Sequence, residues 1–316
     1  MILKLESVAI SLQRSKVTRS EPETTRGSAD ARWGFAALLL GNAALAFGPW
    51  LVRLADVGPA AAGFWRLALA VPFLALLARA AGQPARWPGR ALATVVAVSA
   101  FFFAADLAAW HAGIHLTKLG NATLFGNVAS FAFAAWGLWL ARRWPSGLQA
   151  AALLLAALGS ALLMAGSAEL SARNLRGGLL AFLAGLFYAG YLIGMDRARG
   201  QLMPLPALIL ASSFGAAFLL PFALVTGEQI LPGKWTPLLV LALSSQVLGQ
   251  GLLVYALGVM PPLIVGLALL TQPAIAAAIG WLAYGETLTP LDFIGAAAIG
   301  AALVLVRLRP PAEAAT

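Results

Sequence analysis

Within Phe101–Trp136, FFFAADLAAWHAGIHLTKLGNATLFGNVASFAFAAW, the residues Asp106, Trp110, Asn121, Thr123, Asn127 and Ser130 interrupt two long apolar runs hinged at Thr117–Lys118. A charged side chain deep in a bilayer costs about 2.5–3.5 kcal/mol even on the lower scales, so it is normally turned toward a bundle interior or a wet cavity. At about 100° per residue, Asp106 and Trp110 lie about 40° apart on one helix, with Gly113 and Thr117 on the same stripe. A carboxylate beside an indole suits an ammonium group, the ring adding a cation–π contribution. The same carboxylate could instead carry a proton, or pair with Arg66 across a bundle. On the following segment Thr123, Asn127 and Ser130 share a stripe about 60° wide.

The layout recurs about 144 residues later, in SSQVLGQGLLVYALGVMPPLIVGLALLTQP, where Gln250 falls opposite Asp106 and Thr271 opposite Asn127. Gln246 and Gln250 lie one turn apart, and uncharged amides can serve amino or carboxyl groups. Gly185, Tyr188 and Tyr191 form a stripe able to stack on an aromatic ring. The candidate substrate-binding residues are therefore Asp106, Trp110, Thr123, Asn127, Tyr188, Tyr191, Gln246, Gln250 and Thr271. The competing reading for each is packing or interhelical hydrogen bonding, worth about 0.6–2 kcal/mol. An alternative is a membrane-embedded enzyme using Asp106. It would need a second group within reach, and His111 falls about 140° away on the same helix. Arg53 and Asp56 could pair at the outer face, a structural or snorkelling contact.

These residues sit in a chain that is 61% hydrophobic and 10% charged, with a mean hydropathy of +0.86. Soluble domains run at roughly 45–50% apolar and 25% charged, so an all-α integral membrane protein is expected. The net charge of +9 comes with no basic–aromatic interleaving and no recognition motif, which argues against nucleic acid as a partner. The absence of cysteine excludes disulfides and thiolate metal sites, and no cofactor is expected. Residues 1–32 read as a disordered cytoplasmic tail, with apolar runs too short for a signal peptide.

Ten spans follow: Gly34 to Val52, Ala60 to Ala78, Leu92 to Ile114, Gly120 to Leu140, Gly147 to Ala165, Gly177 to Met195, Pro204 to Thr226, Pro237 to Gly258, Pro261 to Tyr284 and Pro290 to Val306. With the N-terminus inside, fifteen Lys and Arg fall on the inner side and five on the outer. Both termini are then cytoplasmic. A shift of 144 places Gly34 on Gly178, Gly41 on Gly185, Phe47 on Tyr191 and Arg53 on Arg197, and a shift of 143 places Gln149 on Asp292. Two five-helix repeats, 33–168 and 177–309, are expected within one membrane domain. Five is odd, so the second repeat enters from the opposite face and the two are inverted. Inverted repeats around polar residues at the midplane are the plan of a secondary transporter, here expected to act as a monomer in the lipid bilayer.

The segment Trp281–Gly300, WLAYGETLTPLDFIGAAAIG, resembles the end-of-repeat signature of EamA-type carriers in the drug/metabolite transporter superfamily. Pro273, thirteen residues before Glu286, and Arg66 in the second span also match that family's habits. The first repeat departs from it, with Arg142-Arg143 at the Gly-Glu position and Ser130 at the proline position. Length, span number and a Trp- and Phe-rich interior are most similar to the YddG-type aromatic amino acid exporters. The resemblance implies alternating-access export of amino acids, aromatic ones included, and related metabolites from the cytoplasm across a bacterial inner membrane.

Overall fold

The computed structural model describes residues 23–83, 86–117, 122, 125–142, 144–165, 171–285 and 289–307. Helix α1 (Glu23–Ala46) is followed after Phe47 by α2 (Gly48–Leu54); then come α3 (Pro59–Ala80), α4 (Arg90–Leu116), α5 (Val128–Leu140) and α6 (Gly147–Ala165). The second half opens with α7 (Ala172–Arg199) and α8 (Pro204–Val225). Next, α9 (Thr236–Leu241) runs through a π-helical stretch, Ala242–Gln250, into α10 (Gly251–Leu257). The chain ends in α11 (Pro262–Leu269), α12 (Thr271–Tyr284) and α13 (Pro290–Arg307). No strand occurs among the described residues.

Among the described residues six stretches are long and apolar enough to cross a membrane: Arg32–Leu54, Pro59–Ala80, Arg90–Leu116, Ala172–Arg199, Pro204–Val225 and Thr236–Leu257. Four shorter apolar helices, Val128–Leu140, Gly147–Leu162, Pro262–Ala276 and Pro290–Val306, take the fourth, fifth, ninth and tenth places. The chain is a multi-pass membrane protein, with ten helical segments among the described residues. Helix α1 also reaches back into the segment read as a tail, starting at Glu23.

Proline sets many of the helix starts, because its missing N–H costs nothing in a first turn and its ring fixes φ near the helical value. Pro59, Pro204 and Pro262 open α3, α8 and α11, and Pro237 is the second residue of α9. Within an apolar run proline has either effect: Pro72 and Pro221 lie inside the continuous helices α3 and α8, whereas at two other places a proline coincides with a helix break. Pro49 cannot donate to the Leu45 carbonyl, and α1 stops at Ala46. Pro273 stands in the same relation to Leu269, and the ninth segment is interrupted at Leu270. The fourth segment breaks at Asn127, which forms a turn between helical Gly126 and α5. The sequence reading has these spans continuous.

The last helix of each half starts on a similar cap. The Ser146 N–H donates to Gln149 Oε1 (2.9 Å) while the Gln149 N–H donates to Ser146 Oγ (3.3 Å), a reciprocal capping box before α6. The Thr289 N–H and hydroxyl both donate to Asp292 Oδ2 (2.7 and 2.8 Å) at the start of α13.

Small residues bring the helices close, as they must where lipid gives no hydrophobic drive to association. A Cβ on Gly113 of α4 would lie 2.9 Å from the Gly177 carbonyl of α7, while Ser99 near the start of α4 touches Gly194 near the end of α7. These two helices are therefore antiparallel. Helix α3 meets α8 in reversed order, Gly63 on Leu219, Leu67 on Gly215, and Gln83 accepting from the Leu205 N–H. Helix α5 meets α11 likewise, Gly137 on Pro262 and both Ser130 and Ala134 on Gly266. The first span packs against the eighth, Gly34 on Met260 and Gly41 on Gly249. The main helix pairings are unchanged when each span is exchanged for the one five places away: α4 with α7 becomes the eighth span with the first, and α4 with α8 becomes the π stretch with α3.

Candidate substrate-binding cavity

Between the two halves lies a cavity of about 600 Å³, counting the part open to solvent. Its wall includes Arg66 of α3, Asp106 and Trp110 of α4, Asn127 at the break before α5, Tyr188 of α7 and Gln250 at the end of the π stretch. Both helix breaks open onto it, through Gly126 and Asn127 on one side and Leu269 and Gln272 on the other.

The i, i+4 spacing of Asp106 and Trp110 does what the helical wheel requires, placing both side chains on one face of α4. Asp106 is 8% exposed and its carboxylate makes no hydrogen bond or ion pair with any described residue. Arg66, 3% exposed, is held from behind. Its Nε donates to Gln246 Oε1 (3.2 Å), and Gln246 Nε2 donates to Ser212 Oγ of α8 (3.0 Å). Both Nη groups remain without a partner among the described residues. The guanidinium carbon sits 5.7 Å from the centroid of the Phe103 ring, at cation–π range. Arg66 and Asp106 line the same cavity yet form no direct ion pair.

The aromatic floor is built by α4 and α7. Phe103 stacks on Tyr191 with centroids 4.2 Å apart and planes 15° from parallel, and Tyr188 stacks on Tyr191 at 5.6 Å. Gln250 ties this floor to the eighth span, accepting from the Tyr191 hydroxyl (3.3 Å) and donating to the Tyr188 hydroxyl (2.9 Å). Tyr188 keeps its own O–H proton for a further acceptor. Asn127 Nδ2 is buried without a hydrogen-bond partner.

Of the residues singled out from sequence, Asp106, Trp110, Asn127, Tyr188 and Gln250 share the cavity wall. Tyr191 and Gln246 lie directly behind it, bonded to Gln250 and Arg66. Thr271 turns away: its hydroxyl donates to the Ala268 carbonyl (2.7 Å), which also accepts from Asn42 Nδ2 (2.7 Å). The interruption at Leu270 leaves carbonyls to be satisfied, and Thr271 and Asn42 do this while Gln272 takes the wall position. Thr123 lies outside the described residues. Phe103 and Gln272 are wall residues the sequence reading did not name, and Arg66, read there as a possible partner of Asp106, was not among its substrate-binding candidates. A lone arginine inside an apolar span was the available signal for Arg66.

His111 faces α3, not the cavity. Its Nδ1 lies 2.9 Å from the Pro59 carbonyl and Nε2 is buried without a partner. An Asp106–His111 catalytic pair therefore has no geometric basis. Arg53 and Asp56 do not pair either, Arg53 donating to the Ile114 and Thr117 carbonyls (3.2 and 2.7 Å) and Asp56 accepting from the Gly233 N–H (2.9 Å).

Among proteins of known activity, the chain is 34% identical over 151 residues to the threonine/homoserine exporter RhtA of Escherichia coli (strain K12), and equally so to RhtA of strains O6:H1 and O157:H7. Each match spans 47% of this chain and 51% of the relative, so the chain is matched to about half the length of these proteins. A solved crystal structure superposes with a TM-score of 0.66 over 89% of this chain and 97% of that one, at 16% identity, a likeness of fold. Residues 175–308 match the model of the EamA-like transporter family.

Proposed function

We propose that the protein is a secondary transporter of the bacterial inner membrane, exporting amino acids, aromatic ones included, and related small metabolites by alternating access. Two inverted repeats, 33–168 and 177–309, rock about the cavity, with both termini in the cytoplasm. The observation that carries this reading is the position of the cavity at two helix breaks, Asn127 and Leu270, which lie 143 residues apart and come from opposite halves. Discontinuous helices at an interface between inverted repeats are where secondary transporters hold their substrates.

Three further features support it. The pairs α3–α8 and α5–α11, which join equivalent spans, are antiparallel. The caps of α6 and α13 repeat at the same spacing of 143 residues. Phe103, Trp110 and Tyr188 give the cavity aromatic surface for a ring-bearing side chain. Purified protein in liposomes should take up labelled threonine, homoserine, phenylalanine or tryptophan in exchange for the same unlabelled amino acid inside. Uptake no faster than in protein-free liposomes across a full amino acid panel would remove the reading. Repeating the assay with and without a pH gradient decides whether protons drive export.

A further inference from the structure

An acidic and a basic side chain open into one cavity without touching each other. Low-dielectric surroundings make an unpaired ion costly, and such a cost is ordinarily relieved by direct pairing. Here the protein holds the partners apart. Gln246, itself anchored on Ser212, binds the Nε edge of Arg66, and Phe103 lies against the guanidinium. That leaves the Nη1/Nη2 edge, the fork that matches a carboxylate bidentately. Asp106 reaches the same cavity from α4 with both oxygens unpaired among the described residues and the Trp110 ring one helical turn away.

Resting on the amino acid reading above, we propose that Arg66 and Asp106 are the two poles of a zwitterion clamp, Arg66 taking the α-carboxylate and Asp106 the α-ammonium group. The bound molecule completes an ion pair at each end. A ligand lacking either charge leaves one pole buried and unpaired, so the site rejects amines and carboxylic acids of the same shape. An uncharged or singly charged metabolite is then a poor substrate, and the occupied site carries no net charge through the membrane.

The test uses full-length protein in liposomes and competition against uptake of labelled L-phenylalanine and L-threonine. Phenethylamine and 1-amino-2-propanol lack the carboxylate; 3-phenylpropionate and 3-hydroxybutyrate lack the ammonium group. Each should compete at least about tenfold more weakly than its parent amino acid, the loss expected when a charged group is left unpaired. Asp106→Asn should narrow the gap between the amino acid and its deaminated analogue, and Arg66→Gln the gap between the amino acid and the amine. A purely structural role for either residue would weaken all ligands together. Analogues competing within about twofold of the parents in the wild-type protein overturn the clamp while leaving amino acid transport standing. Uptake of no amino acid across the full panel overturns both, and uptake of other amino acids alone moves the same comparison to those and their analogues. Because the wild-type comparison needs no substitution, a variant that fails to fold does not affect it.

Discussion

Arg53 and Arg199 do the same thing at opposite ends of the molecule. Arg53, at the end of the first span, donates to the Ile114 and Thr117 carbonyls at the end of the third. Arg199, at the end of the sixth, donates to the Val254 carbonyl in the last turn of the eighth and to that of Leu202. Each arginine satisfies carbonyls left over at a helix C-terminus. Gly177 of α7 lies beside Thr117 and Arg199 is the last residue of this helix, so about 33 Å of helix separates the two grips. Arg53→Gln and Arg199→Gln should each lower stability in detergent by about 1–2 kcal/mol. The double substitution should lose the sum, because sites this far apart act independently. Thermal unfolding of the four proteins checks this, and a double variant no worse than the singles would show that the grips are coupled.

Gln250 and Thr271 were grouped together by sequence and are separated by the structure. Gln250→Ala removes both hydrogen bonds that fix the tyrosine floor, so substrate affinity should fall at least about tenfold. Thr271→Val removes only one of two donors to the Ala268 carbonyl, so the Michaelis constant should stay within about twofold of wild type while stability drops by about 1 kcal/mol. Concentration-dependent uptake by both variants separates these outcomes.

Gly266 crosses the fourth span beside its break. A Cβ there would lie 2.6 Å from the Ser130 carbonyl and 2.9 Å from the Ala134 nitrogen, both backbone atoms. Gly266→Ala should therefore cost about 1–3 kcal/mol through overpacking. Gly300 of α13 faces open space, and Gly300→Ala should be neutral or stabilising by up to about 1 kcal/mol. Unfolding temperatures of the pair measure the difference.

Much of this arrangement is legible in the sequence, for physical reasons. A carboxylate or amide inside an apolar run is too costly to leave facing lipid, and that alone brings Asp106, Asn127 and Gln250 to one cavity. Prolines mark α3, α8 and α11 because the first turn is the place a helix tolerates them. The break at Asn127 was not legible, since Ser130 stands where the second half has Pro273 and no residue type there forbids a helix. Nor was the π stretch, whose composition matches an ordinary span. The helix interruption at Leu270 also changed which residue faces inward, which is why Gln272 and not Thr271 reaches the wall. Arg66 looked equally suited to a structural ion pair, and only its geometry shows Nε engaged and both Nη groups open.

If one cavity serves both faces of the membrane in turn, a single thiol placed on its wall becomes reachable from each side. The chain has no cysteine, and Ala129 lies on the cavity wall. An Ala129→Cys protein in sealed, uniformly oriented vesicles should react with a membrane-impermeant thiol reagent added to either side, and a transported amino acid should slow both reactions. Modification confined to one face under all conditions, with no effect of amino acids, would contradict the account.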